Sequence, residues 1–296
     1  MAQVAVALDG TYLVEWDGTG TRNGAPADDL RKTKNGWAFR TVCDQRGCVA
    51  TGGSIVDPSN PSAPLSNVRI ADYVDGRWLM VVFGEGAISC DGPGGIKYSA
   101  DGWTVWDIVI EPDGSLAPTV TVVGTGDCAS IEVHTPRMTK ADESLSGVPV
   151  PNPADQPQRT PARAAAFHGE YTITRTNRGR ADLREVSTHR VATSCVRTGD
   201  RCVAISTDIA PRDPTSPIRD FAVLQFANGV FTGTSAAATQ PCDGGGVGLA
   251  QTSETLPLPS TTETPLPRLT GQRTAKFFQG CAGSALADVE YVLTRD

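Results

Sequence analysis

The cysteines come in two matched sets. Cys43, Cys48, Cys90 and Cys128 are followed by Cys195, Cys202, Cys242 and Cys281, at offsets of 152, 154, 152 and 153 residues. A period that long, repeated once, means tandem domains rather than a solenoid. Other landmarks fall into step. Asp75-Gly76-Arg77-Trp78 meets Asn228-Gly229-Val230-Phe231, and Cys90-Asp91-Gly92 meets Cys242-Asp243-Gly244. Gly10-Thr11-Tyr12 meets Gly169-Glu170-Tyr171 across an early loop of different length. The first domain is therefore placed at 1–138 and the second at 166–296. Between them, 139–165 carry Pro149, Pro151, Pro153 and Pro157, a spacing that supports neither a helix nor a central strand. That stretch reads as a semi-extended linker.

Each copy reads as a succession of short strands. Along Thr11–Trp16, Tyr12, Val14 and Trp16 share one face. Residues 17–35 are polar and Gly-rich, and read as a long loop. Trp37, Phe39, Thr41 and Cys43 share one side of the next strand. Asp75-Gly76 and Asn228-Gly229 sit at the same place between β-rich runs; both pairs accept the positive φ that a two-residue hairpin turn demands. Turns follow at 91–95 and 112–114, and the last strands of copy one are 116–123 and 128–134. Copy two has a second Pro-rich stretch at 256–267, so its strand pair there is expected to be irregular or at an edge. About eight strands per copy and no helix predict an all-β chain: two tandem, homologous, mostly antiparallel barrel-like or sandwich domains.

No Cys-x-x-Cys occurs, and His134, His168 and His189 are the only histidines. Zinc would want tighter Cys or His pairs, so the cysteines read as disulfides formed outside the cytosol. Cys43 and Cys48 flank one tight turn, within bridging reach. Cys90 then pairs with Cys128 by elimination, although four cysteines allow three pairings per domain. The same logic gives Cys195–Cys202 and Cys242–Cys281. Residues 1–10 have no basic leader and no apolar run long enough for a signal, and no stretch of about 20 apolar residues occurs. An export signal or membrane helix is expected upstream, and membrane attachment only through it.

The net charge of −7 is carried by residues 1–138, while 166–296 balance. No basic stripe with interleaved aromatics exists, which argues against nucleic acid. There is no Gly-x-Ser-x-Gly elbow and no glycine-rich phosphate loop before a helix. The histidines do not recur at matched places; His189 falls on Trp37 and reads as filler or a surface tip. Glu15, Asp17, Asp28 and Asp29 form one carboxylate group, and Asp101, Asp107, Glu111 and Asp113 another. Both lie in or beside turns without calcium-loop spacing, and read as solvated surface. No metal, no cofactor and no catalytic residue is assigned. The aromatics read as core, with one alternative: a pocket of Trp37, Phe39, Arg40, Arg69 and Trp78 at a barrel mouth, an arginine serving as the polar anchor. Arg40 and Arg69 fall on Ala192 and Ala222, so the copies would differ in what they bind.

Trp37-x-Phe39-Arg40-x-x-Cys43, Gly47-Cys48-Val49-Ala50 and Asp75-Gly76-x-Trp78 resemble a duplicated four-cysteine β domain of actinobacterial envelope proteins. Similar units form the extracellular regions of mycobacterial receptor-type serine/threonine kinases and of related secreted or lipid-anchored proteins. The resemblance implies an extracellular, non-catalytic sensor or ligand-binding region. It would recognise a small envelope component or a protein partner, with any kinase domain lying upstream in the full-length protein. Two other classes stand beside it: a structural envelope adaptor mediating protein–protein contacts, and a hydrolase using the carboxylates of copy one.

Overall fold

The computed structural model describes residues 7–296 except 46, 61, 92–94, 112, 143–146, 181, 210–219, 236–237, 242–245 and 282. The first sheet comprises β1 (Gly10–Asp17), β2 (Gly20–Arg22), β3 (Ala25–Ala27), β4 (Lys32–Asp44), β5 (Gly47–Ser54), β6 (Ser66–Val74), β7 (Arg77–Asp91), β8 (Lys97–Ile110), β9 (Leu116–Gly124), β10 (Ser130–His134) and β11 (Arg137–Asp142). Eight of these close into a ring in the order β11-β1-β4-β5-β6-β7-β8-β9, through the pairing Met138↔Leu116. The second sheet comprises β12 (Gly169–Asn177), β13 (Arg184–Cys195), β14 (Cys202–Asp208), β15 (Phe221–Ala227), β16 (Val230–Thr234), β17 (Ala238–Pro241), β18 (Val247–Pro257), β19 (Arg268–Gln279) and β20 (Gly283–Arg295). It closes as β16-β15-β14-β13-β12-β20-β19-β18, with β18 returning to β16 and β17 as an outrigger on β18. Both rings are eight-stranded antiparallel barrels, and the all-β tandem expectation holds.

The alternation read from sequence is the barrel wall. Tyr12, Val14 and Trp16 are all buried, with half-buried Leu13 and Glu15 between them. The two hairpin turns adopt the same backbone: φ is 50° and 85° at Asp75-Gly76, and 53° and 83° at Asn228-Gly229. Positive φ at both positions matches the right-handed twist of the flanking strands.

Three segments differ from the sequence reading. Residues 17–35 are not one loop: β2 and β3 form a small hairpin on β10, and β4 begins at Lys32. The hairpin is held by close approach. A Cβ on Gly20 would stand 2.2 Å from the Val133 carbonyl oxygen, and Leu30 is buried beneath. Secondly, the chain stays regular past 138, because β11 pairs with β1 as far as Asp142. Beyond it Val150 and Pro153 are buried, Thr51 Oγ1 donates to the Pro151 carbonyl, and the short 3-10 turn Pro153–Asp155 lies against β4 and β5. The prolines forbid helix and strand there but not docking. Thirdly, the Pro-rich stretch of copy two does not put its strand pair at an edge, and the pair's one register shift, between Leu249 and Ala250, lies away from the prolines. β18 and β19 pair in register through Thr255↔Gln272, and both lie inside the ring. Pro257 ends β18 and the other prolines occupy the connection, where Leu266 is buried and its N–H donates to the Ala166 carbonyl at 2.7 Å.

Two compact units can be recognised. One comprises 1–82, 104–122 and 132–159; the other comprises 83–103, 123–131 and 160–296. Within the second, Trp103 Nε1 donates to Gln225 Oε1 at 3.2 Å, and the Arg201 guanidinium lies over the Phe83 ring.

Cys43–Cys48, Cys90–Cys128 and Cys195–Cys202 are bridged, with Cα separations of 4.0, 5.6 and 3.9 Å. Cys281 is also disulfide-bonded; its expected partner Cys242 lies outside the described residues. The bridges should contribute unequally, because loop length sets the entropy removed from the unfolded chain. The Cys90–Cys128 bridge spans 38 residues and the Cys43–Cys48 bridge 5. In urea unfolding, C90A/C128A should lose about 4 kcal/mol and C43A/C48A about 2 kcal/mol; equal losses would contradict this ordering.

Candidate ligand site in the second barrel

A closed eight-stranded barrel has a lumen that side chains can just fill. In the first barrel, rings fill it. Trp37 stacks on Phe39 at 5.7 Å between centroids, Trp106 packs on Trp37 at 5.5 Å and on Trp16 at 5.4 Å, and Trp16 meets His134 edge-on. Trp78 is fully buried against Tyr73. Of the five pocket residues named from sequence, Trp37, Phe39 and Trp78 are thus core. The register Phe39↔Gly52↔Arg69 puts half-buried Arg69 on the same inner face. There it donates to the Val68 carbonyl, and burial lowers its pKa. Arg40 alternates to the other face and is exposed. The structure does not bring the two arginines together.

The same lumen positions in the second barrel carry charge. Pairing registers give the correspondence: Tyr12↔Trp37 matches Tyr171↔His189, and Val14↔Met138 matches Ile173↔Tyr291. Two residues after Val14 stands Trp16; two after Ile173 stands Arg175. Two residues before buried Ile108 stands Trp106; two before buried Leu256 stands Glu254. Four residues after Leu116, which pairs with Met138, stands buried Val120; four after Leu269, which pairs with Tyr291, stands Arg273. A plug of three tryptophans, a valine and a methionine has become Arg175, His189, Glu254, Arg273 and Tyr291.

These groups form one network. Arg175, only 5% exposed, has Nη1 2.9 Å from Asp220 Oδ2 and 3.6 Å from Glu185, and Nε 3.8 Å from Glu254. Arg273 Nη1 lies 3.6 Å from the same Glu254 oxygen, and the Tyr291 hydroxyl donates to the other at 3.0 Å. His189, wholly buried, shares Nδ1 with Ser206 Oγ at 3.1 Å and points Nε2 at Asp220, 3.5 Å away. Burial works against the charge on Arg175, but Asp220 and Glu254 outweigh it and raise the guanidinium's pKa. Burial also pushes the Asp220 carboxyl up; Arg175, Arg273 and His189 together overcome it and hold the group below the usual carboxylate range. Burial holds the His189 imidazole below its ordinary value, with Asp220 opposing. Burial and Glu254 raise the Tyr291 phenol well above 10.0. Despite the nearby carboxylates, none of the three Arg175 guanidinium nitrogens makes a hydrogen bond, nor does His189 Nε2.

A cavity of about 450 Å³ opens over this network, lined by Arg175, Arg184 and Arg273 together with Leu183, Phe277 and Ala285. A hollow of about 660 Å³ on the outside of the same barrel is lined by threonines, and its Arg178–Asp288 and Arg268–Glu290 charges pair with each other. The first lies beside buried donors that make no hydrogen bond.

The carboxylate groups read from sequence are dispersed. Glu15 pairs with Lys34, Asp29 with Arg22 and Asp107 with Arg77, while Asp17 and Asp113 accept hydrogen bonds from Thr19 and Ser115 two residues on. His168 bonds the Ala165 carbonyl at the surface. His189 is no surface tip. Among the described residues no group of three or more His, Cys, Asp or Glu is arranged to hold a metal ion. Sequence reading missed Arg175, Asp220, Glu254 and Arg273; the signal available was the alignment of Trp16 with Arg175 and of Trp37 with His189.

The chain is thus a pair of eight-stranded antiparallel barrels with bridged cysteines. Residues 4–155 match the PknI serine/threonine-protein kinase sensor domain, and the chain belongs to that family. The monomer form of the M. tuberculosis PknI sensor domain is 21% identical, with a TM-score of 0.43 over 51% of this chain and 99% of that one. The dimer form is 21% identical, with a TM-score of 0.35 over 42% and 81%. A putative outer membrane protein from Bacteroides fragilis is 8% identical, with a TM-score of 0.23 over 97% and 98%. No curated protein matches the chain.

The network makes stability depend on pH with a definite sign. His189 titrates below 6.5 when folded, so the unfolded chain binds its proton first. Its contribution is complete above about pH 6.5 and declines as pH falls through that value toward the lower folded pKa. Asp220, lowered from 3.8, adds a second loss only below about pH 4. The urea midpoint should therefore drop from pH 7.5 to 5, and less steeply in His189→Gln. His134, held low by burial in the first barrel, supplies the remaining slope. An unchanged slope in His189→Gln would show that the buried imidazole is not kept neutral.

Proposed function

We propose that the chain is the extracellular, non-catalytic sensor region of an actinobacterial cell-envelope protein, the ectodomain of a transmembrane serine/threonine kinase. The observation that carries this is the family match, since the family is defined by the sensor domain of a kinase. Bridged cysteines fit an oxidising compartment. Glu15, Asp29 and Asp107 of copy one are each paired with a separate cation, which supports a recognition role over a hydrolytic one. Recognition of a small envelope component fits a closed barrel whose mouth holds a cavity, and a net charge of −7 fits no nucleic-acid partner. Among the described residues no helix is long and apolar enough to cross a membrane.

Protease treatment of intact cells tests the topology. The chain should be degraded while the cytoplasmic kinase domain survives. If the chain persists until the cells are lysed, it is not extracellular and the sensor reading fails.

A further inference from the structure

We propose that the mouth of the second barrel binds a small carboxylate-bearing molecule with an apolar body. This deepens the sensor reading, and rests on it only for the ligand's being extracellular.

Arg175 is the first ground. It is 95% buried by its 5% exposure, yet no guanidinium nitrogen is hydrogen-bonded. Leaving such donors unmatched is costly. A planar guanidinium presents its N–H groups as a fork that two carboxylate oxygens match, and such charge-assisted pairs are the strong ones. The carboxylates already present lie close but off the hydrogen-bonding directions of Arg175.

The charges at this mouth already balance, so a bound anion has to replace a carboxylate rather than add to those present. Asp220 and Glu254 offset Arg175 and Arg273 within the lumen. Glu185 is the third carboxylate near Arg175, but it is 65% exposed at 3.6 Å, so water screens it and it can swing away. A ligand carboxylate would take its place, with Arg184 on the same rim. His189, kept neutral by burial, adds no charge.

The rest of the lining is mixed: Asn177, Asp182 and Thr252 are polar, and one wall is apolar. Pairings Asn177↔Ala287, Arg273↔Ala287 and Ala275↔Ala285 place both β20 alanines on the inner face with Arg175 and Arg273. Phe277 and Leu183 complete the wall, and Leu183 is 42% exposed at the rim. A cavity of about 450 Å³ falls within the usual range for small-molecule sites. Alanines keep open a space that rings close in the first barrel.

Calorimetric titration of the full chain with decanoate, decanol and acetate tests this. Decanoate should bind at least about tenfold more tightly than either decanol, which lacks the charge, or acetate, which lacks the body. Arg175→Met should weaken decanoate about tenfold or more and leave decanol unchanged. Because Arg175→Met leaves Glu254 and Asp220 under-paired, Ala285→Trp provides a second variant. It fills the cavity from β20, should keep the wild-type urea midpoint, and should abolish binding of both probes. The proposal is overturned if decanoate does not bind, if decanol binds equally well, or if folded Ala285→Trp binds decanoate like the wild type. A protease-sensitive surface chain that ignores decanoate removes the site and leaves the sensor reading. A chain that binds decanoate but is protected in intact cells does the reverse.

Discussion

Closing a sheet removes its edges and creates an inside that must be filled. The pairing of β11 with β9 and of β18 with β16 imposes that condition on both halves of the chain. Eight strands leave a lumen about as wide as two layers of side chains, so what stands on the inward positions decides whether the barrel is solid or hollow. In the second barrel the apolar fill is confined to one level. Phe167 meets Tyr171, Phe231 and Tyr291 at 5.2 to 5.3 Å, and these rings seal the lumen below the charged network. Above them the inward positions are Arg175, Arg273 and the alanines of β20.

Such a network does not recommend itself on stability grounds. Taking a guanidinium and two carboxylates out of water costs several kcal/mol per ion before their attraction returns it, and well-packed apolar residues in their place are often neutral or better. The first barrel shows the apolar solution in the same fold, with Trp16, Trp37 and Trp106 packed on one another. The second half of the chain therefore maintains an arrangement that its own duplicate shows to be dispensable for closing the barrel. A hydrogen bond from Tyr291 to Glu254 anchors the network to the ring floor. The Arg175 nitrogens are buried without a hydrogen bond, beside a cavity that the residue helps to line.

Much of the scaffold was legible in the residues. The cysteine period located both copies, alternation located the inward faces of β1 and β4, and the Asp-Gly and Asn-Gly pairs located two turns whose φ values agree to within a few degrees. β11 was hidden because its sequence, Arg137-Met138-Thr139-Lys140-Ala141-Asp142, has one large apolar residue; it is a strand because β1 and β9 need a partner, not because of its own pattern. The β2–β3 hairpin was hidden for the same reason, its stability coming from docking on β10. The charged network was half visible. Aligning Gly10 with Gly169 puts Arg175 on Trp16, and the cysteine frame puts His189 on Trp37. The third exchange was out of reach, because Glu254 follows Trp106 by 148 residues, outside the cysteine offsets, owing to the different lengths of the connections around β8 and β18.

The family match and the candidate site fall in different halves. Residues 4–155 span the first barrel's strands, and the charged lumen begins at Arg175. This division follows from how duplicated domains can diverge. A barrel whose core must hold its fold cannot easily give up three packed tryptophans, since each large-to-small or apolar-to-charged exchange costs several kcal/mol against a total stability of about 5–15 kcal/mol. A second copy that keeps its own ring floor and its own disulfides can accept those exchanges at the open end, because closure there rests on backbone pairing rather than on the lumen contents. The second copy is thus where a binding chemistry foreign to the first can arise without loss of the shared architecture.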